Sequence, residues 1–247
     1  MRPFMPCYAL WSRELTRDTC KNAGFVVIFR AHVLSRDGGL MEIEMKYSVP
    51  SRDAADDIWE DCFASPLADR GSAEKVVMKA VYFDTPDRVL AAHDAAVRVR
   101  SEGGLSFATL KWNGRSEDGL HEREEINVPV SGESSFIKLD SDMFSESPEG
   151  RELMRLTEGK ELINLLETRF LRRRMRLDFG ESVIELAIDT GSIITDAGEA
   201  PILELELELF AGDSGDLKSL GSELEEKYGL APLNVSKFGR GLALLSA

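Results

Sequence analysis

Charged and apolar residues alternate with a period of two in several short segments of this chain. The segment Glu42-Ile43-Glu44-Met45-Lys46 shows this pattern, and Glu204-Leu205-Glu206-Leu207-Glu208 repeats it. Residues i, i+2 and i+4 of a β-strand share one face, so each segment would place its charges on one side and its apolar side chains on the other. Charged faces on several strands suggest a closed barrel with an ionic interior.

Alternating or β-branched stretches predict roughly eight short strands. Short turns such as Glu102-Gly103-Gly104 and Phe179-Gly180-Glu181 predict hairpins and therefore a largely antiparallel sheet. An even antiparallel set closes most simply into a barrel, which removes exposed edges. The predicted fold class is α+β, mainly antiparallel β: a closed β-barrel of eight strands with surrounding helices. The predicted strands are 41–48, 76–84, 94–101, 105–112, 120–128, 168–179, 182–190 and 201–210.

Three helices are predicted between these strands: Asp53 to Phe63, about 149–166, and 213–228. The last of them carries an apolar stripe that ends at Tyr228, and Gly229 suits the position just after a helix.

Composition limits the possible functions. The chain has 247 residues, 43% of them hydrophobic, which is enough for one large β domain, and no segment is expected to span a membrane. A formal net charge of −14 argues against binding to a nucleic-acid backbone, but a few buried arginines can still hold a small polyanion. Cys7, Cys20 and Cys62 show no pairing or metal-type spacing, so a reducing, cytoplasmic environment is expected.

The first forty residues differ from the rest, since they contain six Lys and Arg but only three Asp and Glu. Such a leader can be an organellar transit peptide or reflect an upstream start in the gene. Met41 stands directly before the first patterned strand. We therefore expect residues 1–40 to be a poorly ordered leader or a mis-assigned start, and residues 41–247 to form the functional domain.

Carboxylates on neighbouring strands provide a candidate metal site. If Glu42 and Glu44 face Glu206 and Glu208, they offer hard oxygen ligands suited to Mg²⁺ or Mn²⁺. The alternative is that the Glu204–Glu208 strand presents an ordinary solvent-exposed face.

Cations at strand spacing provide the second part of the candidate site. Guanidinium groups match phosphate oxygens bidentately, and lysine adds a compact charge. The alternative for the run of arginines at 172–176 is a solvated surface. Together with metal-binding carboxylates, the cations indicate a site for a chain of phosphates. The residues in question are Arg98, Arg100, Lys111, Arg123, Arg172 and Arg174.

An ordered series of motifs over about residues 41–245 resembles the CYTH superfamily, the triphosphate tunnel metalloenzymes, and within it most of all bacterial inorganic triphosphatases. The motifs are Glu42-x-Glu44-x-Lys46, Tyr82-Phe83-Asp84-Thr85-Pro86-Asp87, Val97-Arg98-Val99-Arg100, Thr109-Leu110-Lys111, Leu120-His121-Glu122-Arg123, Glu185-Leu186-Ala187-Ile188-Asp189, Leu203-Glu204-Leu205-Glu206-Leu207-Glu208 and Ser236-Lys237-x-x-Arg240-Gly241.

The resemblance implies an eight-stranded triphosphate tunnel and assigns roles to matching residues. Metal would be held by Glu42, Glu44, Glu125, Asp189, Glu206 and Glu208. Substrate would be held by Lys46, Arg98, Arg100, Lys111, Arg123, Arg172, Arg174 and Lys237, with Lys237 reaching in from the last helix. Glu42, Glu44, Lys46, Arg98 and Arg100 would be the catalytic set, while Arg240 would either close the tunnel or touch substrate.

The predicted function is metal-dependent hydrolysis of tripolyphosphate to diphosphate and phosphate. The alternatives are an adenylate cyclase of the class IV type, a thiamine triphosphatase or a non-catalytic polyphosphate-binding module. Trp112 is expected in the core or rim, the alternative being stacking on an organic group attached to the triphosphate. His121 is expected at the surface, the alternative being a position at the tunnel mouth. No Walker A sequence is present.

Overall fold

The computed structural model describes residues 33–34, 40–131, 141–145, 147–157 and 160–246. Eight long strands make up most of this part of the chain, which belongs to one compact unit. After a two-residue strand β1 (Val33–Leu34), they are β2 (Leu40–Ser48), β3 (Ala68–Asp84), β4 (Ala96–Glu102), β5 (Leu105–Glu117), β6 (Leu120–Val130), β7 (Ile163–Phe179), β8 (Ser182–Thr195) and β9 (Gly198–Ala211).

The long strands close into an antiparallel barrel. Their order is β2-β6-β5-β4-β3-β7-β8-β9, and β9 returns to pair with β2. Strand β2 makes both contacts, pairing with β6 through Met41–Met45 and with β9 through Glu44–Ser48. Strand β1 and a second two-residue strand, β10 (Ala231–Pro232), add short antiparallel pairings to β2. The predicted closed barrel of eight strands is confirmed.

Five α-helices flank the barrel within the described ranges: α1 (Arg52–Ala64), α2 (Val89–Ala92), α3 (Pro148–Leu156), α4 (Ser214–Tyr228) and α5 (Lys237–Leu244). A 3₁₀ turn covers Ser141–Phe144. Side chains of Ser51, Ser147, Asp213 and Ser236 cap α1, α3, α4 and α5 by accepting a hydrogen bond from the first turn. Helix α4 ends at Gly229, which takes the left-handed conformation (φ 63°) that favours glycine.

The apolar cores lie outside the barrel, between strands and helices. One core joins the outer faces of β2, β7, β8 and β9 to α1 and α4 through residues such as Tyr47, Ile58, Leu186, Leu207 and Leu217. The other joins β4 and β5 to α2, α3 and the 3₁₀ turn. The strands are therefore anchored by their outer faces, and their inner faces remain available for charged side chains.

The helix predicted at 149–166 is wrong in its second half, because α3 ends at Leu156 and β7 already begins at Ile163. Ile163 and Asn164 pair with Asp84 and Phe83 of β3, so strand pairing outweighs the local sequence preference there. Helix α2 has no sequence prediction. The Asp84 carboxylate caps it by accepting hydrogen bonds from the amides of Leu90 and Ala91, both at 2.9 Å.

No helix in the part of the chain covered by these ranges is long and apolar enough to cross a membrane.

Candidate functional site

The inner face of the barrel is lined by charged side chains that are almost completely buried. On β2, Ile43 and Met45 point into the outer core, whereas Glu42, Glu44 and Lys46 are only 3%, 4% and 8% exposed. The alternation seen in the sequence thus separates an apolar exterior from an ionic interior. Below, the space enclosed by β2 to β9 is called the barrel interior.

Lys46 lies between two carboxylates. Its ammonium is 2.9 Å from Glu44 and donates a 2.6 Å hydrogen bond to Glu206, its partner in the β2–β9 pairing. Burial by itself would raise the pKa of Glu44, but the Lys46 charge, the Lys111 charge and the hydrogen bond from Lys46 together outweigh burial, and the pKa falls to about 2. Burial likewise acts to lower the pKa of Lys46, but Glu206 and Glu44 raise it above its ordinary value. Both groups are therefore held in their charged forms.

Lys237 and Arg172 form a second ionic cluster with the acidic residues of β8 and β9. The Lys237 ammonium is 2.8 Å from Asp189, 3.1 Å from Glu204 and 2.8 Å from Glu206. Arg172 binds Asp189 through two parallel hydrogen bonds of 2.7 Å and also contacts Glu206. The first residue of α5 thus reaches the barrel interior.

Lys111 joins the carboxylates of β2 and β6. Its ammonium bonds both Glu42 and Glu125, and all three side chains are nearly inaccessible to solvent. Lys111 therefore bridges the carboxylates of Glu42 and Glu125.

A further set of charges lies toward the hairpins β4–β5 and β7–β8. Arg174 contacts Glu102 at 2.5 Å and Glu74 at 2.6 Å, and Arg100 lies 3.4 Å from the same Glu102. Glu208, also buried, is opposite Glu44 on one side and Glu185 on the other. These residues extend the charged lining over most of the length of the strands.

The opposite end of the barrel is closed by apolar and aromatic side chains. Phe238 of α5 stacks on Tyr82, with ring centroids 5.2 Å apart, in a cluster that includes Leu166. Arg98 donates a 3.1 Å hydrogen bond to the Tyr82 hydroxyl. Helix α5 therefore both seals this end and delivers Lys237. The last predicted ligand, Arg123, lies near this end, where its guanidinium is 3.5 Å from His121.

The structure thus places the sequence-predicted metal and substrate residues on the inner face, most of them linked by ion pairs. Their roles remain predictions. Arg240 bonds Glu204 at 2.7 Å, so it touches the ionic cluster from the outer end of α5.

One sequence interpretation, the surface position of His121, is wrong. His121 is fully buried rather than at the surface, because the segment that precedes α5 covers it. The core position expected for Trp112 is confirmed: it packs with residues of α2 and α3 on the outer side of β5, so its ring cannot stack on a ligand in the barrel interior.

Several residues of the site were missed. Glu102, Glu185 and Glu204 pair with the predicted cations. Each lies an even number of positions from a predicted site residue on the same strand, namely Arg100, Asp189 and Glu206, so strand alternation could have revealed them.

Phe170 was also missed. Its ring lies 5.0 Å from the Lys237 ammonium and 5.7 Å from the Arg172 guanidinium. Gly191 stands opposite Phe170, and a Cβ there would approach the Arg169 carbonyl to 2.1 Å. No sequence pattern reveals such a close approach.

The carboxylates have the chemistry of a magnesium or manganese site, with hard oxygen atoms in a confined space. One carboxylate oxygen of Glu204, Oε2, is buried without a hydrogen-bond partner, which suits a site able to take a cation. Over the described ranges, no three acidic, His or Cys side chains are already arranged around a common metal position. Ammonium groups stand between the carboxylates instead, so a metal ion would take the place of an ammonium partner.

Comparison with known proteins relates this architecture to one family. A curated relative, an inorganic triphosphatase from Haemophilus influenzae, is 32% identical over 168 residues, which are 66% of this chain but 44% of the relative. The chain therefore matches less than half the length of that protein.

Solved structures support the fold. A Hippeastrum protein, described as a candidate adenylyl cyclase with a dominant triphosphatase activity, aligns with a TM-score of 0.58 at 19% identity, covering 82% of this chain and 95% of its own. A candidate adenylate cyclase from Bacillus halodurans aligns with a TM-score of 0.51 at 18% identity, covering 79% and 95%. Residues 40–242 match the CYTH domain, and with the charge-lined barrel this shows that the chain belongs to the CYTH family.

Proposed function

We propose that the barrel interior binds inorganic triphosphate and hydrolyses it to diphosphate and phosphate. The observation that carries this proposal is the set of buried cations on β2, β4, β5, β7 and α5 that converge on one enclosed space. Lys46, Lys111, Arg172 and Lys237 all point into it and are each less than one-eighth exposed. The relative from Haemophilus influenzae, named an inorganic triphosphatase, supports the same reaction class.

The cations would hold the phosphate chain by exchanging partners. In the structure Lys46, Lys111, Arg172 and Lys237 bond to carboxylates of the barrel interior. A highly charged phosphate chain would attract the same guanidinium and ammonium groups, because charge-assisted hydrogen bonds to phosphate are strong in a water-poor space. Arg98 and Arg100 lie on adjacent inward positions of β4, which suits them to stabilise charge that develops on the transferred phosphoryl group.

The carboxylates would supply the metal ligands. Glu42, Glu44, Glu125, Asp189, Glu206 and Glu208 are the candidates, and Mg²⁺ or Mn²⁺ fits their oxygen atoms. A bound ion would neutralise phosphate oxygens and so lower the repulsion against an attacking water. Carboxylates freed from their lysine partners would then orient that water by accepting its hydrogen bonds.

The direct test is a phosphate-release assay with tripolyphosphate, ATP and thiamine triphosphate, each with Mg²⁺, Mn²⁺ or EDTA, together with a cyclic AMP assay. We expect tripolyphosphate to be the preferred substrate and EDTA to abolish turnover. The Arg100→Ala variant should lose activity on the order of 10²-fold, because a transition-state contact is removed. Arg52→Ala, which changes an exposed residue of α1, is the control and should leave the rate unchanged.

The other outcomes identify other functions. Equal rates on ATP and tripolyphosphate, or cyclic AMP formed from ATP, would contradict the proposal in favour of a nucleotide enzyme. Binding of tripolyphosphate without phosphate release under any metal condition would indicate a binding module.

We also propose that residues 41–247 form the functional domain. All residues assigned to the site lie in this range, and β1 adds only two residues to the barrel. A chain starting at Met41 should therefore keep the activity of the full chain. If only a chain starting at residue 31 is active, the pairing of β1 with β2 is needed as well.

A further inference from the structure

A short segment between helix α4 and helix α5 is held in place by β2 and by the β5–β6 hairpin. This segment, residues 231–236, is called the strap. It begins as β10, which pairs Ala231 with Ser48 and Pro232 with Tyr47. The Leu233 amide then donates a 2.9 Å hydrogen bond to the carbonyl of Lys46. The strap ends at Ser236, the cap of α5, and Lys237 follows directly. The position of the strap therefore determines where Lys237 enters the barrel interior.

The hairpin β5–β6 holds the strap from the other side. The Gly119 amide donates a 2.7 Å hydrogen bond to the side-chain oxygen of Asn234, and the Ser116 hydroxyl donates one of 2.9 Å to the Asn234 carbonyl. His121, the second residue of β6, makes the third contact. Its Nε2 lies 2.8 Å from the Leu233 carbonyl oxygen.

The contacts of His121 define its tautomer. A carbonyl oxygen can only accept, so Nε2 must carry the hydrogen that it donates to Leu233. In the neutral ring, Nδ1 is then an acceptor, and it faces the Arg123 guanidinium at 3.5 Å. The ring is fully buried, and burial together with the Lys46 charge lowers the pKa of His121, consistent with a neutral side chain. One histidine thus contacts both the strap that leads to Lys237 and a predicted substrate ligand.

We propose that His121 is a positioning residue for substrate binding: its Nε2–H anchors the strap, and with it Lys237, while its Nδ1 orients Arg123. This role rests on the proposed function, because Lys237 and Arg123 matter only if they bind phosphate. His121 does not need to touch the substrate. It keeps two cations, one on α5 and one on β6, in fixed positions relative to Lys46.

The strap keeps its other bonds when the imidazole is changed, so variants of His121 are expected to fold. His121→Phe retains an aromatic ring of similar size but no donor or acceptor. His121→Gln retains a donor and an acceptor at the end of its side chain. His93→Phe is the matched control, since His93 also bonds a backbone carbonyl, that of Val89 at 2.8 Å, but is exposed and lies outside the site.

We expect His121→Phe to raise KM for tripolyphosphate about tenfold with kcat changed less than about threefold, because one buried hydrogen bond to the strap is lost. His121→Gln should restore most of the affinity, and His93→Phe should match the unmodified chain. In a Lys237→Ala background, His121→Phe should raise KM by less than about threefold, since residues acting through one another are not additive.

Hydrogen exchange measured by mass spectrometry provides a readout that does not depend on turnover. Amides of residues 237–244 should exchange faster in His121→Phe than in His121→Gln or His93→Phe. Unchanged exchange, an equal defect in the Gln and Phe variants, or KM effects that multiply fully in the double variant would each overturn the proposal. If the unmodified chain releases no phosphate from tripolyphosphate, the proposed function fails, while the exchange data still decide whether His121 anchors the strap.

Discussion

The two faces of the barrel strands differ in what they bury. On β7, Arg172 and Arg174 point inward to carboxylates, whereas Arg173 between them points outward to α1. On β9, Glu206 lies in the ionic interior and its neighbour Leu207 in the outer core. The same backbone thus carries an apolar face that holds the fold and a charged face suited to bind a polyanion.

This division separates stability from activity. Burial of apolar surface is the main favourable term in folding, and here it lies between strands and helices. Buried ion pairs contribute little net stability, because desolvation offsets most of their attraction. The interior charges are therefore better explained by function than by stability. Variants on the two faces should separate the two properties.

The largest expected effect on activity comes from an inward carboxylate. Glu44→Gln should lower kcat/KM for tripolyphosphate by about 10³-fold, because the residue is a predicted metal ligand and its charge is lost. Its melting temperature should stay close to that of the unmodified chain. The control is Glu223→Gln on the exposed face of α4. Near-normal turnover of Glu44→Gln at saturating Mg²⁺ would show that this assignment is wrong.

Two neighbouring arginines on β7 allow the inner and outer faces of a single strand to be compared directly. Arg172→Ala should lower kcat/KM on the order of 10²-fold, because it removes a cation from the interior. Arg173→Ala loses contacts outside the barrel interior and should keep its activity: an ion pair with the exposed Asp56, a 3.2 Å hydrogen bond to the Ala55 carbonyl and a contact with Trp59, 5.5 Å from the ring centroid. Steady-state kinetics on both purified variants is the measurement. Similar losses in the two would mean that the inner and outer faces of β7 do not differ in function.

Substitutions on the outer face of the strands should have the opposite result, with lower stability and unchanged substrate binding. Leu207→Ala removes a side chain that is completely buried, and it should lower the free energy of unfolding by about 3 kcal/mol. At a temperature where the variant is still folded, KM for tripolyphosphate should not change. Urea denaturation and kinetics on the same sample test both statements. A normal stability with a raised KM would contradict the assignment of Leu207 to the core.

The smallest expected effect is a loss of folding stability at high pH, caused by a buried residue of the outer core. Cys62 lies on the buried face of α1, and burial raises the pKa of its thiol from 9.0 to about 11. The unfolded chain ionises first, so stability is unaffected below about pH 9 and is lost as pH rises toward about pH 11, by about 2 kcal/mol. Urea denaturation of the unmodified chain and of Cys62→Ala should show a steeper fall with pH in the former. Parallel pH profiles would indicate that the thiolate is accommodated in the fold.

Much of the architecture is readable from the order of residues. Alternation of charged and apolar positions predicts the strands, because side chains on a strand point to opposite faces with a period of two. Gly103-Gly104 and Gly180 predict two of the hairpins, since these glycines adopt positive φ angles in tight turns. The same alternation places Glu42, Glu44 and Lys46 on one face of β2, and all three are buried in the barrel interior.

Other features depend on residues that are far apart in the chain. Pairing with β3 turns residues 163–166 into a strand, although the sequence there favours a helix. Burial of His121 depends on Leu233, more than one hundred positions later, and the place of Phe170 depends on the absence of a Cβ at Gly191. The sequence by itself determined which residues share a face, because that follows from local backbone geometry. Only the tertiary structure decided which faces meet, because closure of the barrel and docking of α5 are long-range packing events.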